Sequence, residues 1–304
     1  MTVDDDVEKG RPEAIRAVPV RHPGRWIAAA VVLVLIAMFV NFLLTSDALN
    51  WAEQRKYIFS VAVLKGVRNT ILLTIAAMVG GIALGTVLAL MRLSPNPLLS
   101  GAAWFYLWFF RGTPLYTQLL IWGAIGSLLP TIGVGIPFGP EFHTWQTQAL
   151  VTAMIAAGLG LILNEAAYMA EIVRAGILSV DEGQQEAASA LGMSRMQTMR
   201  RIVLPQAMRV IIPPTGNEAL STMKNTSLVA AIPFSELTFT AQTIYANTYQ
   251  IVPMLIMACL WYLFLSSLMM IGQHYLERHY SRGVGRGTTP REPRIRLRGG
   301  GGGQ

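Results

Sequence analysis

The residues able to do chemistry sit where they are costly. Arg111-Gly112-Thr113-Pro114 interrupts an apolar segment running from Ser100 to Gly126. A charge inside such a segment is expensive and usually faces protein or water. The adjacent Gly and Pro predict a locally broken helix, tolerated only where it is buried or lines a cavity. Two readings follow: Arg111 and Thr113 line a polar pathway, or the break is a kink whose arginine pairs with a neighbouring helix. A second apolar segment, Thr147 to Leu178, carries Glu165, Tyr168, Glu171 and Arg174. The last three recur at i, i+3 and i+6 and so lie near one helix face, where Glu171 and Arg174 can pair. Glu165, deeper in, is a pathway candidate. Lys224-Asn225-Thr226-Ser227-Leu228 either lines a cavity or outer gate through Lys224, Thr226 and Ser227, or caps a helix junction.

Each of these residues has a packing explanation beside the pathway one. No catalytic residue stands out, because no Ser, His and Asp converge in sequence and no phosphate-cradling GxxxxGK[ST] run is present. His22, His143, His274 and His279 have no metal-ligand spacing, so no metal and no cofactor are expected in this chain. The single Cys259 lies in an apolar span and reads as a packing residue.

The elements that must carry these residues are membrane helices. Of 304 residues, 53% are hydrophobic and 13% charged, and the charges gather at the ends and in a few loops. That distribution predicts an all-α polytopic membrane protein. The net charge of +7 reflects arginine-rich tails flanking membrane spans, not a nucleic-acid surface. A polar leader, 1–25, precedes an uncharged run, 26–44, about 28 Å long as a helix and sufficient to cross the hydrocarbon. A cleaved signal peptide competes with a retained span here; the length and the lack of a small-x-small site favour the span. Residues 45–65 form an outside connection. Asn69 to Met91 is the second run, with Gly80, Gly81 and Gly85 placed for close helix contact. Residues 127–146, rich in Gly and Pro, read as an outside loop. Gln206 to Ser221 is a weaker span, with Pro213-Pro214 at its middle, and Ile251 to Gln273 is the last clean one. Six spans put both termini inside, with a disordered basic tail at 279–304. Arg195, Arg200 and Arg201 then fall inside as the charge rule asks, whereas Arg55, Lys56, Lys65 and Arg68 fall outside against it.

Between the fourth and fifth spans lies EAASALGMSRMQTMRRIVLP, residues 186 to 205, polar and basic among apolar neighbours. Asp181 with Gln184, and Ser194 with Gln197, each read as a capping box. Gly192 offers a left-handed stop, which predicts two short helices joined there and ended at Pro205. Small alanines on one face let another protein approach the backbone. A solvated loop with helical content is the plainer reading.

Glu186, Ala187, Ala188, Gly192, Ile202, Leu204 and Pro205 match the spacing of the EAA loop of ABC importer permeases. RGTPLYTQLL at 111–120, AAYMAEIVRAGI at 166–177, IVLPQAMRVIIPP at 202–214 and KNTSL at 224–228 resemble the polar amino-acid branch of that family, in the same order. From about 66 to 278 the chain therefore resembles the permease subunit of a polar amino-acid ABC importer. The resemblance implies a type I ABC importer permease-like helix bundle with a five-span core, to which the first span is an addition, and a multi-pass place in a bacterial plasma (inner) membrane. It also implies that residues 181–205 are the coupling element for a dimer of ABC ATPase subunits, which would bind ATP and Mg. Glu186 would ion-pair with that ATPase. An extracytoplasmic amino-acid-binding protein and a second permease copy or paralogue would complete the assembly, with no nucleic acid involved. An ATP-independent secondary amino-acid transporter or channel is the alternative; it usually shows internal repeats, which this sequence lacks. A membrane-anchored enzyme or scaffold would need a soluble domain of a size not found here.

Overall fold

The structure, a computed structural model, describes residues 23–136 and 139–280. The expected leader 1–25 and basic tail 279–304 lie outside the described residues, apart from 23–25 and 279–280. The chain divides after Asn50 into two units. The first holds α1, Pro23–Thr45, an apolar helix with its residues exposed nearly throughout, and a 3-10 turn at Asp47–Leu49. The second holds everything else.

It begins with α2, Trp51–Tyr57, and the long α3, Val61–Arg92. Ser60 caps α3 by accepting from the Val63 N–H at 3.3 Å. The helix thus starts well before Asn69 and takes Lys65 and Arg68 into its first turns, because the cap sets the start and nothing afterwards breaks the ladder. Helix α4, Pro97–Gly112, opens on Asn96 as N-cap with Pro97 in the first turn, where a missing N–H costs nothing. The chain breaks at Thr113-Pro114 and resumes as α5, Leu115–Gly123, and α6, Ile125–Leu128. The expected loop that follows contains an antiparallel hairpin, β1 (Thr131–Gly135) and β2 (Glu141–Gln146), a small exception to an otherwise helical chain. Helix α7, Thr147–Leu150, leads to α8, Ala153–Leu178.

Helices α3 and α8 make the most extensive contact in the molecule. Its basis is a row of glycines. A Cβ at Gly81 would sit 2.6 Å from Glu165 Cγ, and one at Gly85 would sit 2.7 Å from Met169 Cβ and 2.9 Å from the Ala166 carbonyl oxygen. Gly80 faces Ile162 in the same way. In lipid there is no water to exclude between helices, so close backbone approach supplies the attraction.

Beyond α8 come α9, Glu182–Ala190, and α10, Arg195–Thr198, joined through Gly192 at φ +73°. Pro205 does not end the helical path. Met199–Val203 widens into a π turn, and α11, Leu204–Asn225, starts with Pro205 in its first turn. There the proline needs no donor of its own. Helix α11 then runs on through Pro213 and Pro214. A 3-10 turn, Thr226–Ala231, leads to α12, Leu237–Thr248, and α13, Ile251–Tyr280.

Among the described residues four helices are long and apolar enough to cross a membrane: Gly24–Thr45, Val61–Arg92, Ala153–Leu178 and Ile251–Arg278. The other two expected spans are the interrupted α4–α5 and the more polar α11. Glu171 and Arg174 pair as expected, 2.7 Å apart. Cys259, expected to pack, is instead exposed on the surface of α13. Helical period, not hydrophobicity, decides that: the neighbouring Met257 and Ala258 take the inward positions.

The glycine seam makes a direct prediction. Gly85→Ala, which drives a methyl into α8, should lower the stability of the purified protein in detergent by about 1–3 kcal/mol. Gly101→Ala, with nothing within 4 Å, should leave the melting temperature unchanged or raise it. Equal melting temperatures for the two variants would count against the seam as the organising contact.

Candidate functional site

The break in the third expected span is stitched from neighbouring helices. Pro114 has no N–H, so the Phe110 carbonyl four residues earlier has no helical donor. Gln118 Nε2 donates to it at 3.0 Å and Asn164 Nδ2 at 3.2 Å. Gln118 also donates to the carbonyl and hydroxyl of Thr113, at 3.1 and 2.8 Å, and Asn164 donates to Gln118 Oε1 at 3.1 Å. Both amides are buried. Without water to solvate a free carbonyl, this pair is what lets the helix stay broken.

The break opens onto a cleft of about 580 Å³. Arg111 to Leu115 form one side; Asn164, Glu165 and Tyr168 of α8 form another; Glu218, Ser221 and Asn225 of α11 close the third. Arg111 lies over the Tyr168 ring, 5.6 Å from its centre. Glu165 is 5% exposed, and its Oε2 accepts from the Thr222 hydroxyl at 2.7 Å. Its Oε1 is buried with no hydrogen-bond partner. Buried acceptors are normally paired, so this oxygen marks a place where a donor is missing among the described residues.

Three of the sequence-derived pathway residues, Arg111, Thr113 and Glu165, therefore meet in one cleft. The other three do not line it. Lys224 is exposed at the end of α11, Ser227 donates back to the Lys224 carbonyl, and Thr226 is fully buried with its hydroxyl on the Met223 carbonyl. That segment forms a capped helix junction. Sequence reasoning missed Asn164 and Glu218 in the cleft and Gln118 in the repair beside it; each is a single polar residue in a different segment, with no spacing to mark it.

The 182–203 segment is a second, separate surface. Asp181 Oδ1 accepts from the Gly183 N–H at 2.8 Å, a cap without the expected Gln184 box. Gln184 instead donates its backbone N–H to the Asp181 carbonyl as an ordinary first turn. Ser194 and Gln197 do form the reciprocal capping box. Ala188 is 1% exposed and anchors α9 against the π turn, whereas Glu186, Ala187, Gly192, Leu204 and Pro205 are exposed and Ile202 half-buried. Leu191 is 81% exposed and Met196 68%, so two large apolar side chains of this segment are uncovered by the described residues.

Residues 81–282 match the family described as the binding-protein-dependent transport system inner membrane component. The arginine transport system permease protein ArgU of Corynebacterium glutamicum is 49% identical over 93% of this chain and 88% of its own length. The nopaline transport system permease protein NocM of Agrobacterium fabrum is 37% identical over 75% of this chain and 92% of its own. A crystal structure of an amino acid ABC transporter with histidines superposes with a TM-score of 0.62 at 31% identity, over 77% of this chain and 99% of that one. The inward-facing MetNI methionine ABC transporter shares the fold, with a TM-score of 0.57 at 20% identity. The chain belongs to the binding-protein-dependent permease family, and it is an integral membrane component of such a transport system.

Gln118→Leu should leave the Phe110 and Thr113 carbonyls short of a donor and cost about 1–3 kcal/mol of stability. Thermal unfolding in detergent measures this. A Gln118→Leu protein as stable as the parent would show that the amides do not hold the break.

Proposed function

We propose that this family member forms the translocation path of an ATP-driven importer of polar amino acids, and that it favours those with a cationic side chain. The observation that carries the reading is Glu165, whose Oε1 has no partner among the described residues, in the lining of a cleft that also holds Glu218 and Arg111. A guanidinium or ammonium side chain would satisfy the carboxylates, and Arg111 is placed to meet the α-carboxylate of the same molecule. Similarity to an arginine permease and to a transporter described with histidines supports this choice.

Both termini would lie in the cytoplasm, which puts 182–203 on that face and the 226–250 region outside. Glu186, Ala187, Ala188, Gly192, Ile202, Leu204 and Pro205 then form the coupling surface for a dimer of ATPase subunits. The exposed Leu191 and Met196 would give that contact an apolar centre and Glu186 a charged rim. ATP and Mg would be held by those subunits, and this chain would serve as a transport subunit without a hydrolytic site of its own. An extracytoplasmic binding protein would deliver the amino acid, and a second permease copy or paralogue would complete the path. ATP-driven closure of the ATPase pair can move the path only if its binding energy differs between the inward and outward states.

Two measurements test the reading. In cells expressing the whole transporter, Glu165→Gln should reduce uptake of labelled arginine at least tenfold, about 1.4 kcal/mol, and affect a neutral polar amino acid much less. Unchanged arginine uptake would remove Glu165 from the path. Glu186→Arg should insert normally yet lose ATP-dependent uptake; undiminished uptake would sink the coupling assignment.

A further inference from the structure

Glu236 is fully buried, and none of the pathway or coupling reasoning uses it. It caps α12. One carboxylate oxygen accepts from the Phe239 N–H at 2.5 Å and the other from the Thr238 N–H at 2.7 Å. The Tyr262 hydroxyl of α13 donates to that second oxygen at 3.0 Å. The same tyrosine oxygen lies 3.3 Å from the Thr238 hydroxyl and 3.4 Å from the Thr226 hydroxyl. Burial pushes the Glu236 carboxyl up to about 7, against the pull of these donors.

The backbone around Glu236 is seated as tightly as its side chain. A Cβ at Gly66 would come within 3.2 Å of the Glu236 carbonyl oxygen and 3.1 Å of Leu237 Cα. Leu237 N–H donates to the Thr70 hydroxyl at 3.3 Å, and Asn69 Nδ2 donates to the Ser235 carbonyl at 2.8 Å. The buried carboxylate therefore joins α12 to α13, the backbone beside it is seated on α3, and Tyr262 in turn touches Thr226 at the start of the 3-10 turn. The turn is the link to the cleft. Its first residue follows Asn225, which lines the cleft, while Val229 and Ile232 pack with Leu119 and Leu115 at the start of α5.

We propose that Glu236 is a positioning residue for transport, which through Tyr262 holds the Thr226–Ala231 turn against α12 and α13 and so fixes the outer end of α11, where Asn225 lines the cleft. This rests on the importer reading for the words transport and outer; the clasp itself rests on the contacts above. A plain N-cap would stabilise α12 and leave the cleft alone. The clasp instead couples cleft access to one carboxylate more than ten residues along the chain from the nearest cleft residue.

The test reads access, not uptake, so that its result does not depend on the substrate. The full chain, co-expressed with its partners in intact cells, carries Cys259→Ser and Ser221→Cys, which places one thiol in the cleft. A membrane-impermeant maleimide is added outside. With Glu236→Ala the labelling rate should rise about tenfold, and with Tyr262→Phe, or with Glu236→Gln, whose NH2 replaces one of the two accepting oxygens, about threefold. If Glu236→Ala does not accumulate in the membrane, Tyr262→Phe, which loses only a hydroxyl, decides alone. An unchanged labelling rate in a membrane-inserted Glu236→Ala or Tyr262→Phe protein overturns the clasp. Faster labelling together with normal arginine selectivity of Glu165→Gln would uphold the clasp and overturn the substrate reading separately.

Discussion

Backbone groups in lipid have no water to fall back on, and that constraint shapes every functional feature of this chain. Where the helix breaks at Thr113-Pro114, the freed carbonyls need donors, and Gln118 and Asn164 supply them. Asn164 can reach only because α8 stands close to the break, and α8 is fixed by the glycine seam with α3. The cleft is thus a by-product of satisfying a broken helix. Arg111 and Glu165 sit on either side of the same repair, so the polar groups that a solute would meet are placed by the groups that make the break tolerable.

The same economy holds at the other end of the molecule. The 182–203 segment is polar, short and lightly packed, and local devices keep it folded: an Asx cap at Asp181, the left-handed Gly192 and the Ser194–Gln197 box. Ala188 is its anchor to the π turn. Val203 and Thr198 are buried with it, while Glu186, Leu191 and Met196 are exposed among the described residues. Such a surface is ready-made for a rigid partner, since the helix geometry is set before contact and little ordering entropy remains to be lost.

Legibility in the sequence followed the range of the interaction. The Ser194–Gln197 box, the left-handed glycine, the broken helix and the Glu171–Arg174 pair are local, and residue type at fixed spacing foretold each of them; the expected Asp181–Gln184 box is the local exception. The glycine seam was also foreseen, because small residues in an apolar run have few other uses. Contacts that depend on which helix lies opposite were not readable. Cys259 faces outward although its span is apolar all round, and Asn164 and Glu218 join the cleft, and Gln118 the repair beside it, from positions that carry no signature alone. Thr226 and Glu236 are more than one helix apart from Tyr262 in sequence, and only the fold makes them neighbours. The start of α3 was misplaced for another reason: charge was taken as the boundary, whereas the Ser60 cap sets it. The end at Pro205 failed because a π turn followed by a first-turn proline reconciles that residue with a continuing helix.

That continuity has a mechanical meaning. Pro213 and Pro214 remove the rungs to Arg209 and Val210, yet α11 stays one helix of 22 residues, about 33 Å long. A helix that has lost two consecutive rungs bends most easily there. The soft point of α11 therefore lies between its base at Leu204 and the cleft residues Glu218 and Ser221, so flexure there would swing one wall of the cleft against the segment below it.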